Sequence, residues 1–447
     1  MTRRFEINNL NRNQWYQSIY PWLVWLLGAC FFFYKYLVQV SPSVMTHDLM
    51  KVFHVNGAGL GNLSAFYFYA YLMMQIPVGI LLDRFSPRFL TALAIFLCSA
   101  STFIFSQTNS LQLACISRAM IGAGAAFAAV SCFKLATLWF SPNRFAMVSG
   151  LCMTAAMLGG VFGQVPLSFL IEGVGWRSAL GIISFLGILL GFLYIIIVRD
   201  KQNNALSSSK IEHSSKLYMR PVICNKQTWL LSLYSGLAFA PVSVFGGLWG
   251  VPFLQTAYEL SRNSAAFAVS WIFIGFAVGA PFFGWLSDFV GRRKPILFSG
   301  SLMALICILF ALYSPSRNII LLSTTLFFFG FGASGFFTSF AMIRELFPVA
   351  LAGTVLGVMN TFDSICEAIF EPIIGAILDW AWDGKIIDGV HYFSVSNFHS
   401  ALLLLPLSLG IALFLLLYIK ETWCIPVDAA TDDKHSARES PYYFDNN

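Results

Sequence analysis

Sorted into hydrophobic and polar positions, the chain is a succession of long apolar runs separated by short polar breaks. A helix needs about 20 apolar residues to cross the hydrocarbon of a bilayer. On that measure twelve runs qualify: 21–45, 59–82, 89–106, 111–138, 145–170, 177–198, 228–254, 264–286, 295–313, 319–343, 354–380 and 398–419. Several contain Gly or Pro, which membrane helices tolerate better than soluble ones do. The longest polar interval, 199–227, is Ser-rich and basic and divides six runs from six. The pattern therefore predicts an all-α integral membrane protein of twelve transmembrane helices in two six-helix bundles, 21–198 and 228–419. A linker, 199–227, joins them, with a polar segment 1–20 before and a polar tail 420–447 after. The first run lacks a small-residue cleavage site, so no cleavable signal peptide is expected.

Composition narrows the function. Hydrophobic residues make up 57% of the 447 and charged residues 11%, with a mean hydropathy of +0.72. A soluble domain carries roughly 25% charged residues. The net charge of +6 is scattered singly or in short clusters between apolar runs, so no nucleic-acid partner is implied. The nine cysteines are odd in number, lie mostly inside the runs and match neither a disulfide framework nor a zinc site. There is no nucleotide loop, nucleophile motif or metal-ligand spacing. The reading is of a non-enzyme with no metal and no cofactor.

Lys and Arg set the orientation. With the N-terminus cytoplasmic, the inner segments hold 19 of the 27 basic residues and the outer segments hold five, Lys51, Arg177, Arg262, Arg317 and Lys385. Both termini are expected in the cytoplasm.

The remaining three, Lys35, Arg118 and Lys134, fall inside spans of the first half. A mid-span charge costs at least ~2.5 kcal/mol on insertion scales, so it marks a site. In the eleventh run Asp363, Glu367 and Glu371 recur every four residues, which places them on one stripe of a helix. Buried cations thus belong to the first half and buried anions to the second. Brought together, they suit a solute with a carboxylate and an amine, with Tyr34 and Tyr36 offering hydroxyl groups or a ring face. Glu367 and Glu371 are also candidates for carrying protons between the two sides, Glu367 first because it lies deepest. Each has a plainer reading: a Lys35–Glu367 pair locking the halves, Arg118 bracing helices, Lys134 snorkelling to the interface, and Asp363 and Glu371 serving gates.

The two halves echo each other. Gly79-Ile-Leu-Leu-Asp83-Arg84-Phe-Ser-Pro-Arg88 follows the second run, and Gly284-Trp-Leu-Ser-Asp288-Phe-Val-Gly-Arg292-Arg293-Lys294 follows the eighth. Arg118-Ala-Met-Ile-Gly122-Ala-Gly124 in the fourth run is matched by Gly330-Phe-Gly332 in the tenth. Parallel six-span repeats build the two pseudo-symmetric bundles of major facilitator transporters. Over nearly its whole length the chain resembles that superfamily. The first loop is similar to the superfamily's loop 2–3 signature, with Ser86-Pro87 replacing the usual Gly-Arg, and Arg118–Gly124 is similar to its span-4 signature. Gly150, Gly159 and Gly163 have the spacing of the antiporter signature, but Gln164 stands where that signature has Pro. The resemblance implies that Gly79, Asp83, Arg84, Arg88, Gly284, Asp288, Arg292 and Arg293 form an inner gating network.

Tyr34–Met45, Lys134-Leu-Ala-Thr and Trp139–Ala146 also resemble a branch found in intracellular bacterial pathogens and related to lysosomal dipeptide transporters. The expected function is transport of a small polar metabolite, an amino acid or short peptide, by proton-coupled uptake through a monomer in a bacterial inner membrane. Its substrate-binding residues are Tyr34, Lys35, Tyr36, Arg118, Lys134, Asp363 and Glu367. The alternatives are an exporter of lipophilic cations or a siderophore-like polycarboxylate, and a membrane sensor that binds a solute without moving it.

Overall fold

The computed structural model describes residues 19–199, 221–314, 316–348 and 351–425; the outer ends of the chain and most of the linker lie outside them. The side chains of Asp83 and Arg84 also lie outside the described set. Among the described residues, ten segments are long and apolar enough to cross a membrane. Numbered by place in the chain, they are span 1 (Tyr20–Val44), span 3 (Pro87–Gln107), span 4 (Leu111–Trp139), span 5 (Met147–Val174), span 6 (Trp176–Ile197), span 7 (Lys226–Ala257), span 8 (Arg262–Val290), span 9 (Lys294–Tyr313), span 10 (Ile319–Glu345) and span 12 (Val395–Leu415). Two further helices, span 2 (Gly57–Arg84) and span 11 (Ala352–Trp380), complete the twelve-helix, two-bundle architecture.

Local chemistry sets the helix ends. Asn56 accepts a bond from the Gly59 amide at the start of span 2, Ser261 from Ser264 at span 8, and Asn318 from Ile320 at span 10. Such side chains satisfy amides that have no partner inside the helix. Gly291 closes span 8 at φ +68°, a conformation that costs glycine little.

The spans match the apolar runs to within a few residues, but several are not continuous helices. Span 1 tightens into a 3₁₀ turn at Ser41–Val44, span 5 breaks at Gly163–Gln164, and span 10 passes through a 3₁₀ turn at Ser334–Phe337. Span 7 carries Pro241 and then a π segment, Phe245–Trp249. Proline removes one rung of the helix ladder, and π segments leave carbonyls free for other partners. By contrast, span 11 runs unbroken through Pro372.

Among the described elements spans 2 and 11, one from each bundle, make the most extensive contact. A Cβ on Gly61 would overlap the backbone of Glu371 and Pro372, so only glycine lets the two helices approach this closely. Outside the predicted spans, the described residues include a helix, Thr46–Phe53, after span 1, and a two-residue hairpin, β1 (Ile386–Ile387) with β2 (Val390–His391), before span 12. They touch at the end of the molecule opposite the linker, called here the far end.

Candidate functional site

The buried charges converge where the bundles meet. Lys35, Arg118, Asp363, Glu367 and Glu371 are each at most 6% exposed. They form two rungs across the halves, Lys35 with Glu367 and Arg118 with Glu371, each pair within electrostatic reach.

At the first rung, the Lys35 ammonium lies 3.8 Å from the centre of the Tyr36 ring and 5.1 Å from that of Tyr71 on span 2. Both tyrosines also sense the charges of Glu367 and Asp363. Among the described residues no carboxylate comes within 4 Å of the ammonium, so Lys35 and Glu367 are not a direct ion pair. Glu367 Oε1 has no hydrogen-bond partner, and Ser243 of span 7 lies beside the carboxylate. Asp363 accepts a 2.6 Å hydrogen bond from the Ser235 hydroxyl. The Tyr71 hydroxyl adjoins the amides of Gln75 and Asn360.

At the second rung, Arg118 donates to the backbone carbonyl of Val38 at 3.2 Å and to the Ser64 carbonyl at 3.5 Å. Its guanidinium also lies 5.3 Å from the centre of the Tyr67 ring. Arg118 therefore braces spans 1, 2 and 4 while facing Glu371. A Cβ on Gly122, one turn along, would overlap the Tyr67 backbone, so glycine there admits span 2 to this position.

Two expected members stand elsewhere. Tyr34 is buried, but its hydroxyl lies against Ser99 and Gly187, inside the first bundle and away from the acidic stripe. Consecutive helical residues point 100° apart, so Tyr34, Lys35 and Tyr36 cannot share a face. Lys134 donates to the Leu82 carbonyl near the linker end of span 2, remote from both rungs.

The linker-end loops are organised unevenly. In the second bundle Arg293, not Arg292, is the hub. It bonds Asp288 at 2.7 Å, Glu345 at 2.6 Å and Ser287 at 2.7 Å, while its backbone amide donates to Glu421. Burial opposes its charge, but the hydrogen bonds to Glu345 and Asp288 outweigh that and hold the guanidinium above its ordinary pKa. Arg292 is half exposed and lies over Trp423. Arg88 donates to the Ile195 carbonyl within the first bundle. A Cβ on Gly79 or Gly284 would meet open space. Asp83 and Arg84, expected here, lie outside the described side chains.

At the far end, bonds cross between the bundles. Arg262 pairs with Asp48 at 2.9 Å, Asn263 donates to Glu172, and Asp379 accepts from the amides of Gly57 and Ala58. Deeper in, the fully buried Gln164 donates to Gly246 O in the π segment at 2.6 Å and to Ser43 at 2.8 Å. These contacts close the far end in this structure.

Two bundles meeting at a charged midplane match the Major Facilitator Superfamily, whose pattern the chain fits over residues 24–251 and 231–441. The chain belongs to this superfamily of transporters. It is 22% identical to the membrane sensor protein UhpC of Escherichia coli, covering 91% of this chain and 95% of that protein. It is 26% identical to the probable galactarate/D-glucarate transporter GudP of Bacillus subtilis, covering 76% and 81%. A solved bacterial homologue of the human lysosomal transporter Spinster, inward-facing and occupied, superposes with a TM-score of 0.75 at 15% identity, over 90% of this chain and 97% of that one.

Proposed function

We propose that the chain moves a small carboxylate-bearing solute by alternating access, with Lys35 holding the carboxylate. The observation that carries this reading is the unmet pairing at the first rung. Among the described residues Lys35 has no carboxylate within 4 Å, and Glu367 Oε1 has no hydrogen-bond partner, both deep in the bundle interface. A solute with an ammonium as well as a carboxylate, an amino acid or short peptide, would meet both. Glu367 and Glu371 are the proposed proton carriers, which makes the protein a symporter. The basic linker end is proposed to be cytoplasmic, in the inner membrane of a bacterium, with the protein acting as a monomer.

Two other readings have specific support. The relation to GudP favours a sugar acid, whose carboxylate would again meet Lys35 while a proton on Glu367 offsets its charge. The relation to UhpC favours a sensor that binds the same solute without moving it.

The test is uptake into proteoliposomes of amino acids, dipeptides and sugar acids, under an imposed proton gradient, with Lys35→Ala and Glu367→Gln alongside. Zwitterion uptake that is lost in Lys35→Ala supports the main reading. Uptake of sugar acids alone moves the second forward, and saturable binding without uptake moves the sensor forward. Uptake or binding indifferent to Lys35 removes the site.

A further inference from the structure

The Lys35 ammonium is in an unusual place for a lysine that waits for an anion. It sits against two aromatic faces, at 3.8 Å from the centre of the Tyr36 ring and 5.1 Å from that of Tyr71, with Glu367 and Asp363 within electrostatic reach of both rings. Aromatic faces backed by carboxylates are the surroundings that recognise an ammonium ligand. We propose that the Tyr36–Tyr71 cleft is an organic-ammonium site, filled by the Lys35 side chain until the ammonium of the substrate displaces it.

Three features of the cluster support the exchange. The site is complete for a cation, yet among the described residues no carboxylate within 4 Å fixes Lys35 there. Lysine carries its charge on a flexible four-carbon stem, so it can swing out without movement of the helix, whereas arginine's planar fork is suited to fixed pairing. Glu367 Oε1, buried and without a hydrogen-bond partner, is free to receive an incoming N–H donor.

The exchange also conserves charge. A zwitterion brings no net charge into the interface. Its ammonium replaces that of Lys35 in the cleft, and its carboxylate travels with the displaced lysine. No new uncompensated charge has to enter a low-dielectric space. The ligand class is therefore a primary or secondary ammonium carried next to a carboxylate. A sugar acid would leave Lys35 seated. This inference rests on the reading of the cluster as the substrate site and specifies its amine half.

The test uses the full-length protein in detergent with ethylammonium chloride as probe and ethanol as the neutral isostere, followed by titration calorimetry. In Lys35→Met the stem is replaced by one of similar bulk and the head site is vacated. This variant is expected to bind ethylammonium at least about tenfold more tightly than the wild type does, and not to bind ethanol. Adding Tyr71→Leu should weaken that binding by about tenfold, the effect of removing one desolvated ring face. Lys35→Gln provides the same readout should the methionine variant fail to give a monodisperse protein. Failure of both correctly folded variants to take up ethylammonium, or equal binding of ethanol, overturns the proposal. Should the wild type bind carboxylates through Lys35 while the variants take no ethylammonium, the cleft is wrong and the substrate reading survives. Should the variants take ethylammonium while the wild type binds none of the carboxylates, the cleft survives and the substrate reading falls.

Discussion

Asp379, at the end of span 11, caps the first turn of span 2: its Oδ1 accepts the Gly57 amide at 2.8 Å and its Oδ2 accepts the Ala58 amide at 2.7 Å. The cap comes from the opposite bundle, so it can exist only while the far ends are together. A carboxylate at a helix N-terminus is favoured both by the free amides and by the helix dipole, and losing such a cap costs about 1 kcal/mol. Asp379→Ala should therefore weaken the far-end closure. Hydrogen exchange read by mass spectrometry is expected to show the amides of residues 57–61 exchanging about fivefold faster. Unchanged exchange there would mean that other contacts hold the gate.

Gln164 is the second cross-bundle latch. Its amide nitrogen serves both Ser43 and Gly246 O, and Ser43 in turn donates to its Oε1 at 3.1 Å. Gln164→Leu would fill the space but remove the side-chain donor to the buried Gly246 carbonyl, while the Ser43 hydroxyl keeps its 2.9 Å bond to the Val40 carbonyl. An unsatisfied buried polar group costs about 1–3 kcal/mol. The expected outcome is a transporter that favours the open far end, seen as faster proteolysis or exchange of spans 1 and 7 there. Gln164→Glu keeps an acceptor for Ser43 but has no N–H for the Gly246 carbonyl, so it too should favour the open far end.

The Arg293 hub predicts a difference between neighbouring residues. Arg293 and Glu345 are both below 10% exposed in their side chains, and Thr422 also donates to Glu345, at 2.5 Å. Removing one partner of a buried pair leaves the other uncompensated, at a cost on the order of 3 kcal/mol. Arg293→Ala should lower the melting midpoint sharply, and Arg293→Lys should recover only part of it because a single ammonium cannot reproduce the fork. Arg292→Ala, at a half-exposed position, should change stability by no more than about 0.5 kcal/mol. Equal effects at the two sites would remove the hub.

Much of this was legible from spacing. The four-residue recurrence of Asp363, Glu367 and Glu371 put them on one helix face, and that face meets the basic residues of the first bundle. The same geometry, applied to Tyr34, Lys35 and Tyr36, turns the two tyrosines about 200° away from each other, so they cannot both line one site. Lys134 carries an in-span charge like Lys35 and Arg118, but its position near the end of span 4 suits the bond it makes to the Leu82 carbonyl. Other members left no local signal. Tyr71 lies in a span whose charges sit only at its end, and it joins the cleft through helix packing. Glu345 and Glu421 meet Arg293 from positions 52 and 128 residues away, a separation that no sequence period encodes. Asp379 stands one residue inside the end of the eleventh run, where no spacing points to a partner on span 2, and Gln164 stands out only as a departure from a family signature.

The two rungs should separate under mutation, because their acids stand in different surroundings. Glu367 faces a lysine whose ammonium lies over two ring faces, whereas Glu371 faces Arg118, which is tied to the backbone of spans 1 and 2. A proton that moves with the substrate is expected on the acid whose partner can move, which is Glu367. Glu367→Gln should abolish accumulation driven by a proton gradient yet keep exchange of solute across the membrane, which needs no net proton movement. In Glu371→Gln the guanidinium loses its facing carboxylate while its backbone bonds persist. Binding should survive, and the turnover rate should fall as the rocking of the bundles about this rung is disturbed. Counterflow and gradient-driven uptake, measured on the same proteoliposomes, distinguish the two. If Glu367→Gln still accumulates solute and Glu371→Gln does not, the proton pathway runs through the arginine rung instead.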